Sequence, residues 1–290
     1  MSLVVTGASG QLGRLAAQHL LDRVEDPSSV VLLTRRPDAL AELAARGAVV
    51  READFDRPDS LRSGFAGAER VLLISTDAVG ARVHQHAEAI DAAKAAGAEL
   101  IAYTSVPNPT RDNPAGVAED HRRTEELLVA SGVPHVFLRN GLYTDMQLPT
   151  AQQALASGQL VVNEGDAATA YVTRDDAARV AAAVLAGGDH AGRAYDVVGE
   201  RLTAAERAAL FAEVGGRPVE LVQVDDDALL EGLRAADLPE PLARLLVSFG
   251  RASREGFLDV DSDVVERVGG SPPRTLRDLL AASGDALAAA

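Results

Sequence analysis

Two periodicities divide this chain. Runs of consecutive apolar residues at 3–6, 30–34, 48–51, 71–75, 100–104 and 135–138 are rich in Val, Leu and Ile and read as strands buried on both faces. Between them, at 12–21, 37–46, 60–65, 81–96 and 118–130, the pattern is that of amphipathic helices. Gly47, Gly97 and Gly132 each follow a helical stretch, where a left-handed residue closes the last turn. Pro37 can open its helix, because the N–H it lacks would have no partner there. Strand–helix alternation repeated this often predicts a doubly wound parallel α/β (Rossmann) sheet with right-handed crossovers.

After Tyr143 the rhythm changes. Helices are expected at 145–156 and 175–185, and short strands at 160–162, 170–173 and 195–198. A further helix spans 203–213, with Thr203 and Glu206 spaced as a capping box. From Asp225 onward, Ala- and Leu-rich helices are broken at Pro239, Pro241, Gly250 and 269–273, and 286–290 reads as a frayed tail. The organisation expected is a nucleotide-binding domain over 1–150, joined by returning elements near 170–198, and a smaller, mostly helical substrate lobe over 151–290.

The segment Gly7-Ala8-Ser9-Gly10-Gln11-Leu12-Gly13 lies between the first strand and the first helix, the context that gives a Gly-rich spacing its meaning. Gly7 suits a tight turn, Gly10 lets the backbone approach a pyrophosphate, and Gly13 lets helix and strand pack closely. The free N–H groups near Gln11 and Leu12, with the helix dipole behind them, would face the phosphates. A dinucleotide site that prefers NAD usually has a carboxylate at the end of the second strand; this chain has Thr34-Arg35-Arg36-Pro37. A guanidinium can grip a 2′-phosphate, so Arg35 points to NADP(H). Asp54 is placed either to accept from the adenine amino group or to form the turn in Ala53-Asp54-Phe55-Asp56. Ser75, Thr76, Tyr103, Thr104 and Ser105, at strand ends on the binding face, could line the ribose and nicotinamide or simply start loops. Asn140 could hold the nicotinamide or a substrate carbonyl, with Tyr143 stacking on a flat acceptor; the alternative is a left-handed turn at Asn140-Gly141 with a half-buried Tyr.

Composition narrows the partners. With 290 residues and 47% apolar content the chain can bury a large core, as one large domain or two modest ones. It has no cysteine, which excludes disulfides, a thiolate nucleophile and any Cys-ligated metal, and no other metal-ligating set is expected. A formal charge of −15 and 3% aromatic content argue against nucleic acid. No signal peptide and no membrane span is expected, so the cytoplasm is the expected compartment.

Residues 5–13, Asp54-Phe55-Asp56, residues 100–105 and Leu138-Arg139-Asn140-Gly141-Leu142-Tyr143 together resemble the NmrA-like atypical short-chain dehydrogenases, in particular their bacterial quinone-reductase branch. The likeness runs over nearly the whole chain and weakens near 220–260. It implies NADPH held by Gly7, Ala8, Ser9, Gly10, Gln11, Leu12, Arg35, Ser75, Thr76 and the 139–143 loop with Arg139, hydride transfer to quinones, and a homodimer. Related dye reductases share fold and cofactor, and other members bind dinucleotide as non-catalytic redox sensors that regulate a protein partner.

Ordinary short-chain dehydrogenases pair a Tyr with a Lys four residues on, so that the ammonium lowers the phenol pKa. By the family's usual offset from Glu125, Val117 and His121 occupy those positions, and Tyr103 is followed four residues later by Pro107. The pair is absent. A ketone would need that acid; a quinone does not, because aromatisation stabilises the hydroquinone anion until water protonates it. His121 is the one candidate acid in that slot, against a satisfied helical histidine. His84 and His86 would face different directions on a helix, and Asp175 and Asp176 suit a helix start.

Overall fold

The structure is a computed structural model and describes residues 1–284, so the tail at 286–290 lies outside the described residues. The first half runs β1 (Leu3–Val5), α1 (Gln11–Leu21), β2 (Val30–Thr34), α2 (Ala41–Ala45), β3 (Val49–Glu52), α3 (Pro58–Gly64), β4 (Arg70–Leu73), α4 (Arg82–Ala95), β5 (Leu100–Ser105), α5 (Ala118–Ser131) and β6 (His135–Asn140). The second half continues β7 (Leu142–Tyr143), α6 (Gln147–Ser157), β8 (Gln159–Val162), β9 (Thr169–Val172), α7 (Arg174–Ala186), β10 (Ala194–Val197), β11 (Arg201–Leu202), α8 (Ala204–Gly215), β12 (Glu220–Gln223), α9 (Asp226–Ala235), α10 (Glu240–Arg254), α11 (Val264–Gly269) and α12 (Leu276–Ala282).

Seven strands form one parallel sheet in the order β10-β6-β5-β4-β1-β2-β3. Alternate residues of each strand feed opposite layers, since successive side chains point to opposite faces. Leu3, Val5 and Leu32 join a core shared with α1 and α7; Val4, Val31 and Leu33 join one shared with α3 and α4. This is the doubly wound sheet that the alternating pattern predicts, and the reversal of strand order between β1 and β4 opens a crevice at their carboxyl ends. On its far side, α7 lays Ala177, Ala178, Ala181 and Ala182 toward the core it shares with α1. Thr173 caps α7 by accepting from the Asp176 N–H, and Asp175 meets His19 of α1 at 2.8 Å.

Several boundaries differ from the pattern. β4 ends at Leu73 rather than at 75, because the N–H groups of Ile74, Ser75 and Thr76 donate to side chains instead of a neighbouring strand. The segment at 37–46 is a 3-10 turn (Pro37–Leu40) followed by the short α2. Two small sheets, β11-β9-β7 and β12-β8, accompany the helices after β6, so this region is less purely helical than expected. The capping box at Thr203 and Glu206 forms as its spacing predicts. Among the described residues no helix is long and apolar enough to cross a membrane.

Candidate functional site

A cleft of ≈ 390 Å³ opens at the carboxyl ends of β1, β2, β3 and β4. Its floor is the loop after β1. Gly7 takes φ +58°, the Ala8 N–H donates to the Leu33 carbonyl (3.1 Å), and the Gly10 N–H donates to the Gly7 carbonyl (2.9 Å). A Cβ on Gly13 would lie 2.4 Å from the Gly7 oxygen and 2.8 Å from Ala8 Cα, so only glycine lets α1 start this close to the loop. Gly10, the N-cap of α1, has no side-chain cap bond, and the first turn of α1 carries no acidic residue. The helix therefore presents uncapped N–H groups and the positive end of its dipole where an anion would sit.

One wall comes from the end of β2. Arg35 and Arg36 line the cleft, both exposed, and neither guanidinium has a carboxylate partner among the described residues. Thr34 is buried beside them. Its hydroxyl accepts from the Arg36 N–H (3.0 Å) and donates to Ser9 Oγ (2.9 Å). Asp54 lines the opposite side. Its carboxylate forms the turn by accepting from the Asp56 N–H (3.1 Å) and lies 3.6 Å from Arg57 Nε, so the turn-forming and cleft-lining descriptions hold together.

The third side is the exit of β4. Thr6 Oγ1, Thr104 Oγ1 and His86 Nε2 accept from the N–H groups of Ile74, Ser75 and Thr76 at 2.9, 2.9 and 3.1 Å. Gln85 then bridges the cleft: its Oε1 accepts from Thr76 Oγ1 (2.7 Å) and its Nε2 donates to Asp56 Oδ1 (2.8 Å). Three elements thus hold one short segment rigidly, which fixes the side chains that line the cleft.

Of the residues singled out in the sequence, the structure brings Gly7, Ser9, Gly10, Arg35, Asp54, Ser75 and Thr76 together along this cleft. Ala8 and Leu12 turn their side chains into the core and Gln11 is exposed, so Gln11 and Leu12 offer backbone N–H groups rather than side-chain chemistry. Tyr103 does not line the cleft. It is wholly buried under the sheet exit, its phenol pKa pushed up by burial and its hydroxyl 2.8 Å from His121 Nδ1.

His121 is likewise enclosed. Arg82 Nη1 donates to Nε2 (3.2 Å), so the single ring proton of the neutral imidazole resides on Nδ1, facing Tyr103. Burial, then the charge of Arg82, holds its pKa well below the usual histidine value. Both ring nitrogens are engaged inside the protein and no proton is readily added, which is the arrangement of the satisfied helical histidine, the alternative to an acid in that slot. His86 is neutral too, pushed down to about 3 by burial and Arg82, with Nδ1 donating to Thr124 (2.9 Å), while His84 is exposed on another face. Unfolding frees both buried imidazoles to bind protons below their usual pKa of 6.5, so native stability should fall as the pH drops beneath it. Calorimetric scans are expected to show a midpoint falling steadily from about pH 6.5 to about pH 4, with a shallower fall for His86→Gln, whose amide oxygen still accepts but does not titrate. An unchanged slope in that variant would remove His86 from the account.

The exit of β6 departs further from expectation. Arg139 is engaged in a bidentate pair with Glu125 (3.0 and 2.7 Å), which also accepts from Ser105 Oγ (2.8 Å), so its guanidinium braces two strand ends. Gly141 is not left-handed; a Cβ there would lie 2.6 Å from the Ala170 carbonyl, and close approach to β9 is what requires glycine. Asn140 is buried, its Nδ2 donates to Tyr143 Oη (3.2 Å), and its Oδ1 has no partner among the described residues. Tyr143 is half-buried under the Arg174 guanidinium, 4.6 Å from its ring centroid, and packs against the core that α1 and α7 share; burial raises its phenol pKa.

Sequence reasoning missed Thr34, Gln85, Thr6 and Arg174. Thr34 stood in the quoted segment with only its neighbours examined, and nothing local marks Gln85 within its helix.

The sheet, the uncapped helix and the glycine loop define a dinucleotide-binding Rossmann protein. The signature of the NAD(P)H-binding family covers residues 7–187, and the chain belongs to that family, as its NmrA-like resemblance implied. It is 35% identical over 277 residues to quinone oxidoreductase 2 of Escherichia coli K12, covering 95% of this chain and 96% of that protein. The crystal structure of the Escherichia coli NADPH-dependent quinone oxidoreductase complexed with NADPH superposes with a TM-score of 0.93 at 35% identity, over 97% of this chain and 99% of the other. Triphenylmethane reductase of Citrobacter sp., complexed with NADP(H), gives 0.90 at 32% identity, over 98% and 100%. The cleft fits the cofactor that the family implies: Gly10 sets no side chain above the Gly7 carbonyl, α1 is uncapped, and the exposed Arg35 and Arg36 line the wall beside them.

Proposed function

We propose that this chain is an NADPH-dependent oxidoreductase that delivers hydride to quinones or similar planar acceptors. The observation that carries the reading is the pairing of an uncapped α1 N-terminus with two arginines at the end of β2 whose guanidinium groups have no carboxylate partner among the described residues. The loop from Gly7 to Leu12 would hold the pyrophosphate through backbone N–H groups, and Arg35 the 2′-phosphate. Asn140 Oδ1 is the acceptor available to orient a carboxamide, and Tyr143 beside it is the aromatic ring at this end of the sheet that suits a flat acceptor. When bound, the reduced nicotinamide supplies the hydride. The quinone gains that hydride and one proton from water, and NADP⁺ leaves.

The protein needs no acid for this, which agrees with the enclosed state of His121. Its work is positioning and the exclusion of competing geometries. The division into a nucleotide-binding domain over 1–150 and a substrate lobe over 151–290, a homodimeric state, a cytoplasmic location and small molecules rather than nucleic acid as partners belong to the same proposal; the charge of −15 supports the last.

The test is the loss of NADPH absorbance on adding a panel of benzoquinones and naphthoquinones. Oxidation is expected, with a primary isotope effect when nicotinamide C4 carries deuterium on the transferred face. Tight NADPH binding without oxidation of any acceptor would instead support a redox sensor.

A further inference from the structure

We propose that Thr34 is a positioning residue that sets the preference for a 2′-phosphorylated cofactor, a role that rests on the NADPH reading of the cleft. Three observations meet at its hydroxyl. It is buried at the end of β2, where a carboxylate would accept from an unmodified ribose 2′-hydroxyl. It accepts from the Arg36 N–H at 3.0 Å, which holds the backbone turn from which Arg35 and Arg36 project. And it donates to Ser9 Oγ at 2.9 Å, across to the glycine loop.

The donor and acceptor accounting gives this chain of contacts a direction. The Thr34 hydroxyl accepts from the Arg36 N–H, and its own hydrogen is directed at Ser9 Oγ, the acceptor of that bond. Ser9 Oγ has then accepted, and its own hydrogen has no acceptor among the described residues. Ser9 lines the cleft, so that hydrogen is available to an anion there. One buried hydroxyl thus makes Ser9 a donor and fixes the arginine turn, so that this corner of the cleft presents donors. A phosphate at the ribose 2′ position satisfies several donors, whereas a hydroxyl satisfies fewer. Because both contacts exist before any ligand arrives, the ordering cost falls on folding rather than on binding.

Thr34→Val keeps the shape and β-branching and removes the hydroxyl; Thr34→Ser keeps the hydroxyl. The probes are adenosine 2′,5′-bisphosphate and adenosine 5′-monophosphate, which differ only in the 2′-phosphate and carry no nicotinamide, so titration calorimetry reads binding independently of turnover. Thr34→Val is expected to weaken the bisphosphate about tenfold, leave the monophosphate within about twofold, and let Thr34→Ser recover most of the loss. A merely structural role would weaken both probes together. Equal loss of both, full retention of the wild-type preference by Thr34→Val, or failure of Thr34→Ser to recover it overturns the assignment. Wild-type protein that binds neither probe removes the cofactor reading and this assignment with it, whereas failure of the quinone assay alone leaves the measurement intact.

Discussion

Gly10→Val is expected to yield a folded protein that no longer binds either pyridine dinucleotide. The backbone at Gly10 has φ −76° and ψ 170°, extended geometry open to any residue, and a Cβ would meet only the Gly7 carbonyl oxygen, at 3.2 Å. The position is exposed, so no core contact changes. An N-cap glycine replaced by a branched apolar residue costs about 1 kcal/mol, a fall of roughly 2–4 °C in the thermal midpoint for a chain of this size. Binding is another matter, because the valine methyls occupy the approach of the pyrophosphate to the uncapped N–H groups of α1. Losing two or three charge-assisted hydrogen bonds, at about 2 kcal/mol each, should weaken binding by about 1000-fold or more. Thermal shift separates the two effects: NADPH at about 100 times its Kd should stabilise the wild type by roughly 2.7 kcal/mol and leave the variant unmoved. A variant that still gains stability from NADPH would place the pyrophosphate elsewhere.

The glycine loop and the doubly wound sheet were legible because both are local. Strand, turn and helix follow one another within residues 3–21, and each glycine's task is set by its immediate neighbours; the 2.4 Å approach at Gly13 realises what the spacing implies. Arg35 was legible for the same reason, as the residue after a strand end. What the sequence could not carry is the identity of side-chain partners. Arg139 and Asn140 stand side by side at the end of β6, yet one is neutralised by Glu125 and the other keeps an unpaired acceptor. Only the packing of α5 against that strand end distinguishes them.

The same holds for the histidines. His121 occupies the slot of a lysine in the ordinary enzymes, and its chemistry followed from that slot until Arg82 and Tyr103, 39 and 18 residues away in the chain, were seen to close around it. Arg82 lies on α4 and Tyr103 on β5, so no spacing rule within α5 could have announced them. Short strands such as β7 and β11, two residues each, are set by tertiary pairing and leave no periodicity to read.

Arg35→Asp should then exchange the cofactor preference. The guanidinium stands exposed at the cleft, without a carboxylate to hold it, so its removal leaves no buried charge and disturbs no ion pair. Against NADPH the substitution removes a charge-assisted contact to the 2′-phosphate and sets a carboxylate beside it; the two effects together should weaken binding by about 100-fold to 1000-fold. Against NADH there is no phosphate to repel, and the new carboxylate can accept from the ribose hydroxyl, so affinity should change by less than about threefold in either direction. Salt gives an independent check, because an exposed cation reads the phosphate through water: wild-type affinity for NADPH should fall with ionic strength more steeply than its affinity for NADH, and the variant should lose that difference. Parallel loss of both cofactors in calorimetry, with the salt dependence unchanged, would make Arg35 a structural residue and move the phosphate contact to Arg36, the other unpartnered guanidinium of this wall.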